Sequence, residues 1–107
     1  MDQDWKKERF LLLCLYNALF GTITPNIRAI FVDWSIERTT LYYIFDGEIS
    51  EDDIEEASCV ETEFSCALSW PWANARFSTE CIRIDAPKPI PSFGKKCVYK
   101  RKESGRI

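Results

Sequence analysis

An α+β two-layer sandwich, with a three- to four-stranded, mainly antiparallel sheet carrying two helices, is the fold class that the sequence predicts. Three observations lead there. A nearly continuous apolar run at residues 10–20 is long enough for a helix and is followed by Gly21. Two runs rich in β-branched and aromatic residues, at 27–36 and 40–45, are separated by a short polar link, which is the pattern of a hairpin. The stretch 46–70 sets apolar residues at helical spacing on one side and carboxylates on the other. At 107 residues the chain can build one two-layer core and not two, so residues 1–107 form a single domain.

In order, the first helix is predicted over residues 4–20, with Asp2 or Asp4 available as its cap and Gly21 as its end. Its run is apolar on most sides, which predicts a helix sandwiched or lying deep in the core. The strand at 27–36 alternates Ala29 and Phe31 against Ile30, Val32 and Trp34, so both of its faces are expected to be buried. Thr40 to Phe45 pairs with it, and Asp46-Gly47 ends the hairpin.

The second helix starts at Ser50, which with Asp53 makes an approximate capping box, and stops before Pro71. Ala57, Val60, Phe64, Ala67 and Leu68 share one face, with Ile54 at its edge, and are expected in the core. Residues 76–85 read as a third strand whose facing is ambiguous. The run 86–91, APKPIP, is an edge or wrapping segment because its prolines cannot donate to a ladder. A short strand is expected at 96–101, and the last few residues are expected to be mobile.

Between Asp46 and Glu63 there are nine acids and no Lys or Arg. Helices ordinarily intersperse opposite charges, so a one-sign field is either a solvated face or a landing site for a basic partner. Asp46, Glu48, Glu51, Asp52, Glu55, Glu56 and Glu63 are the partner-binding candidates. Glu61 falls beside the apolar stripe, where an Arg such as Arg28, Arg76 or Arg83 is its expected partner. Trp70 and Trp72 flank Pro71; their rings either fold over the core edge or serve as apolar anchors for a partner, and both join the candidate list. The basic tail (Lys95, Lys96, Lys100, Arg101, Lys102, Arg106) is opposite in sign and could neutralise the acidic helix within the molecule.

Catalytic machinery is thin. The chain has no histidine, its four glycines stand far apart, and DGEISEDD lacks the ligand spacing of a calcium loop. No enzyme activity, cofactor or metal is expected. Five cysteines show no metal-finger spacing and are expected as buried free thiols. A net charge of −3 argues against direct nucleic-acid binding. Charges near the start, and an apolar run too short to span a bilayer, predict a cytoplasmic protein without a membrane segment.

The runs NIRAIFVDW, YYIFDGEISEDDIEEASCVETE, IRIDAPKPIP and VYKRKE, together covering most of residues 26–103, resemble a family of small bacterial immunity proteins. These are the cytoplasmic immunity proteins of contact-dependent growth inhibition and related polymorphic-toxin systems. The most specific part is FDGEISEDDIEEAS at 45–58. The resemblance implies a protein that binds and blocks a cognate toxin domain, many of which are nucleases with basic clefts. A regulatory or scaffolding subunit that binds another protein is the alternative; neither reading fixes the oligomeric state.

Overall fold

Asp4–Leu19 forms α1, Ile27–Trp34 β1, Arg38–Phe45 β2, Glu51–Ala67 α2, Arg76–Arg83 β3 and Lys96–Lys100 β4. This computed structural model describes residues 4–68, 71–94 and 96–103. The alternative cap Asp2, Trp70 and the end of the tail lie outside the described residues.

The sheet runs β3-β2-β1-β4. β1 and β2 make the expected antiparallel hairpin, with Ile30 opposite Tyr43 and Val32 opposite Leu41, and β4 pairs antiparallel on the other edge of β1. The β2–β3 pair is parallel, so the sheet is mixed. The cause is α2, which occupies the connection and returns the chain to the end of the sheet from which β2 started.

Alternation along the strands divides the side chains between two faces. Ile30, Val32, Trp34, Leu41, Tyr43 and Phe45 join Leu11 and Leu15 of α1 and Ala57, Val60 and Phe64 of α2 in one buried cluster. β3 adds Phe77, whose ring meets Phe64 edge-on at 5.6 Å, and Cys81, which settles its ambiguous facing. The opposite face is covered as well: Ala29 and Ile44 are fully buried. There the segment between β3 and β4 wraps, laying Phe93 on Tyr42 at 5.3 Å and on Phe31 at 5.6 Å. Gly94 lets the chain turn so closely past β1 that an added Cβ would sit 2.9 Å from the Val32 carbonyl oxygen.

Three expectations fail, each for a local reason. α1 is not sandwiched: it lies on a two-layer fold with none of the described residues packed outside it, so Leu11, Leu15, Ala18 and Leu19 are buried while Trp5, Leu13, Tyr16 and Phe20 are exposed. α2 ends at Ala67 with Leu68 extended as its cap, three residues short of Trp70. Ala67 and Ile54 are exposed as well, because they lie at the edges of a buried stripe that narrows to Ala57, Val60, Phe64 and Leu68.

The start of α2 is as the sequence predicts. Asp53 N–H donates to Ser50 Oγ at 3.1 Å and Ser50 N–H donates to Asp53 Oδ2 at 3.0 Å, a reciprocal capping box. Ser50→Ala removes one half of it and should cost about 1 kcal/mol, or about 4 °C in thermal unfolding followed by circular dichroism.

Candidate partner-binding surface

The nine acids from Asp46 to Glu63 separate into two groups by what their oxygens do. Three are used internally. Asp53 caps its helix and accepts from Asn26 Nδ2 at 3.1 Å. Glu61 accepts from Thr79 Oγ1 at 2.7 Å, so its partner is a hydroxyl of β3 and not one of the expected arginines, whose side chains lie elsewhere. Asp46 accepts from Arg101 Nη2 at 3.0 Å and from the Ala86 N–H at 3.2 Å. The Arg101 guanidinium, and secondarily that N–H, holds the Asp46 carboxyl below the usual carboxylate range.

Glu48, Glu51, Asp52, Glu55, Glu56 and Glu63 form the other group. All six are exposed, and among the described residues no salt bridge joins them to a Lys or Arg. The basic tail therefore reaches the turn before α2 through Asp46 but, as far as it is described, leaves the helix's outward carboxylates without counter-charge.

That turn is rigidly built. Gly47, at φ 90°, presents its N–H to Asp85 Oδ1 at 2.8 Å, and Arg83 clasps the same Asp85 through Nε at 3.0 Å. Arg101 Nη1 also donates to the Pro25 carbonyl at 2.7 Å, linking the segment after β4 to the entry of β1. A few residues away, Arg28 is 3% exposed and donates through Nε and Nη2 to both oxygens of Glu103, at 2.6 and 2.9 Å, and through Nη1 to the Ile84 carbonyl at 2.8 Å. Hydrogen bonding from Arg28 holds the Glu103 carboxyl down at about 2. The acidic helix thus leaves the sheet from a fixed point.

α1 and α2 lie antiparallel on the sheet. Thr22 and Thr24, just past the end of α1, line a small cavity with Asp53, Glu56 and Ala57 from the start of α2. Farther along, Cys14 Sγ is 3.9 Å from the carbonyl oxygen of Ala67 at the end of α2. At roughly 100° per residue, Asp52, Glu56 and Glu63 share the flank of α2 that carries Ala67, nearest α1, while Glu61 faces β3. The acids therefore border the flank of α1 that carries Cys14, roughly 100° or more around that helix from Trp5, Leu13, Tyr16 and Phe20, a juxtaposition that the sequence reading missed.

Trp72 does not join them. It is 2% exposed, stacked on Phe10 at 6.2 Å and edge-on to Trp34 at 6.0 Å, so it closes the core beneath the helix ends and is unavailable as a partner anchor. Trp70, the other expected anchor, lies outside the described residues.

The thiols behave differently from expectation. Cys59, Cys66 and Cys97 are exposed, because each falls on the solvent side of its element; Cys14 and Cys81 are half-buried, and burial pushes both upward in pKa, away from a reactive thiolate. Among the described residues no group of three or more Cys, Asp or Glu is arranged to hold a metal ion, and no helix is long and apolar enough to cross a membrane. What this surface offers chemically is charge and contact area.

Residues 8–103 match the family model described as MafI2 immunity protein. No curated protein matches the chain.

Proposed function

This chain belongs to the MafI2 immunity protein family, and from that premise we propose that it neutralises its cognate toxin domain by laying the acidic outer face of α2 on a basic surface of that toxin. The observation that carries this reading is the set of five outward carboxylates of α2, Glu51, Asp52, Glu55, Glu56 and Glu63, that no salt bridge among the described residues engages. Such a field costs its own helix some stability through like-charge repulsion, and a basic partner relieves that cost on binding. It also speeds encounter with a basic surface and rejects acidic ones.

The toxin that suits this face best is a nuclease. A cleft built to hold a polyanion is lined with Lys and Arg, and carboxylates spaced along a rigid helix occupy it by exclusion of the nucleic acid. Inhibition then needs no chemistry from the immunity protein, and binding takes place in the cytoplasm of the protected cell, in a contact-dependent inhibition system.

The test is the association rate with the toxin domain encoded beside this chain's gene, measured by stopped-flow at increasing ionic strength. Steered association should begin near 10⁸ M⁻¹s⁻¹ at low salt and fall by about tenfold or more as the Debye length shrinks. A rate that is flat with salt excludes the acidic-face mechanism.

A further inference from the structure

On the side of the sheet turned away from the helices, a cleft of about 590 Å³ opens between the 86–91 segment and the chain leaving β4. Lys100 stands opposite Ala29 in the ladder and shares that face with it. Arg28, Lys88, Lys100, Arg101 and Lys102 line the cleft against one carboxylate, Glu103, and Pro87, Pro89 and Ile90 give it an apolar wall. Five of the 14 Lys and Arg therefore meet in one hollow of a chain whose net charge is −3, so the positive surplus is local.

The cations differ in what they already hold. Arg101 is engaged by Asp46, Glu103 and the Pro25 carbonyl. Arg28, 3% exposed, donates through Nε, Nη1 and Nη2 to Glu103 and the Ile84 carbonyl, and its remaining Nη hydrogens have no acceptor among the described residues. Lys88, Lys100 and Lys102 are exposed, and no hydrogen bond or salt bridge among the described residues engages their ammonium groups. A buried guanidinium with donors unmet is costly, and ammonium groups gathered around one hollow repel one another. An anion seated there relieves both.

We infer that this cleft binds a small di- or triphosphate. Lys88, Lys100, Lys102 and the free Nη donors of Arg28 hold the phosphate groups, and Pro87, Pro89 and Ile90 receive the organic body of a ligand that carries one. The volume lies in the range of small-molecule sites, on the order of 300–1,000 Å³. Phosphate is favoured over carboxylate by which cations remain free. A carboxylate is met best by a bidentate Arg, and Glu103 already fills that place on Arg28. The lysines left over are flexible point charges, suited to a compact anion with acceptors in several directions.

The acidic α2 of a second copy is a poorer occupant. Its carboxylates from Glu51 to Glu63 are spread along roughly 18 Å of a helix about 10 Å across, so a single cleft meets only a few of them. A nucleic-acid strand extends beyond the hollow onto a molecule of net negative charge. The inference does not depend on the acidic-face reading, because the cleft and α2 lie on opposite sides of the sheet.

The test is isothermal titration of the full chain with sodium triphosphate and, separately, with ATP. Lys88→Gln, Lys100→Gln and Lys102→Gln, alone and combined, are compared with Lys96→Gln, which removes an exposed cation of β4 that does not line the cleft. Saturable binding at one site is expected, weakened about fivefold or more by each single change and about 100-fold by the three together, with Lys96→Gln as wild type. Tighter binding of ATP supports the site with an organic body on the proline wall; no gain over triphosphate supports it as a site for phosphate groups alone.

Absence of saturable binding with both probes at millimolar concentration would overturn the inference, as would a loss in Lys96→Gln equal to that in the lysine variants of the cleft. Sedimentation equilibrium showing self-association that both the triple lysine variant and charge reversal on α2 abolish, with no phosphate bound, would assign the cleft to a second copy and overturn it too. Reversing Asp52, Glu55 and Glu56 to Lys should leave phosphate affinity within about twofold of wild type at physiological ionic strength, where the Debye length is about 8 Å. Failure of the acidic face in toxin binding and failure of this site are therefore separate results.

Discussion

Reversing Asp52, Glu55 and Glu56 to Lys in one chain should weaken binding to the cognate toxin domain by roughly 10²–10³-fold and abolish protection of a cell expressing that toxin. All three side chains are exposed, and no salt bridge among the described residues uses them. The change therefore removes three attractions to a basic surface and installs three repulsions, while taking nothing from the core. The fold should tolerate it. Losing Asp52 from the first turn sacrifices about 0.5 kcal/mol of interaction with the helix dipole, and three Lys among the remaining acids return part of that by relieving self-repulsion. Thermal unfolding should thus stay within about 1 kcal/mol of wild type. Isothermal titration with the inactivated toxin reads the affinity directly. Full protection by the triple variant would remove the acidic face from the mechanism while leaving the family assignment intact.

Why the acidic helix was legible in the sequence, and its neighbour was not, follows from what periodicity can report. α2 separates its two sides sharply, so Ala57, Val60 and Phe64 were readable as core and Glu51, Asp52 and Glu55 as surface before any coordinates. The capping box at Ser50 and Asp53 is a local signal, complete within four residues. Over residues 10–20 α1 is apolar on most sides, with too little polar surface to mark an outward face, and the expectation of burial follows from that pattern alone.

The information that corrects it is non-local. Two helices side by side on a four-stranded sheet have outer sides that no other described element covers, so the surplus apolar residues of α1 face out. The same reasoning applies to Trp72, whose burial depends on Phe10 and Trp34 arriving from elsewhere in the chain. The parallel β2–β3 pair was likewise hidden, since a helix between two strands is compatible with either direction until the landing edge is known.

Replacing Glu103 by Gln should destabilise the protein by about 3 kcal/mol, lowering the thermal midpoint by about 10 °C. The reason lies at Arg28, a guanidinium buried at the start of β1 whose charge is balanced by the two oxygens of Glu103. An amide offers one acceptor where the carboxylate offered two, and turns an N–H toward an N–H, leaving a buried cation without its counter-ion. Arg101 loses its 3.1 Å contact to the same carboxylate and is left holding Asp46 at the entry to α2.

Removing both charges should hurt less than removing one. Arg28→Met combined with Glu103→Leu is expected to recover most of the loss, because neither a stranded cation nor an unpaired carboxylate remains.

Acid provides an independent check. Arg28 holds the folded-state pKa of Glu103 at about 2, below its ordinary 4.5. A depressed pKa contributes stability that is fully present above the unfolded value and is lost as pH falls from about 4.5 through about 2. The midpoint of the wild type should therefore drop more steeply over that window than that of Glu103→Gln, and the two curves should converge at the acid end. Parallel curves, or a loss under about 0.5 kcal/mol at neutral pH, would show that the pair does not fasten the segment after β4 to the sheet. Because Glu103 lies away from α2's outward carboxylates, toxin affinity measured well below the midpoint should be unchanged in this variant, which separates fastening the helix from presenting its charge.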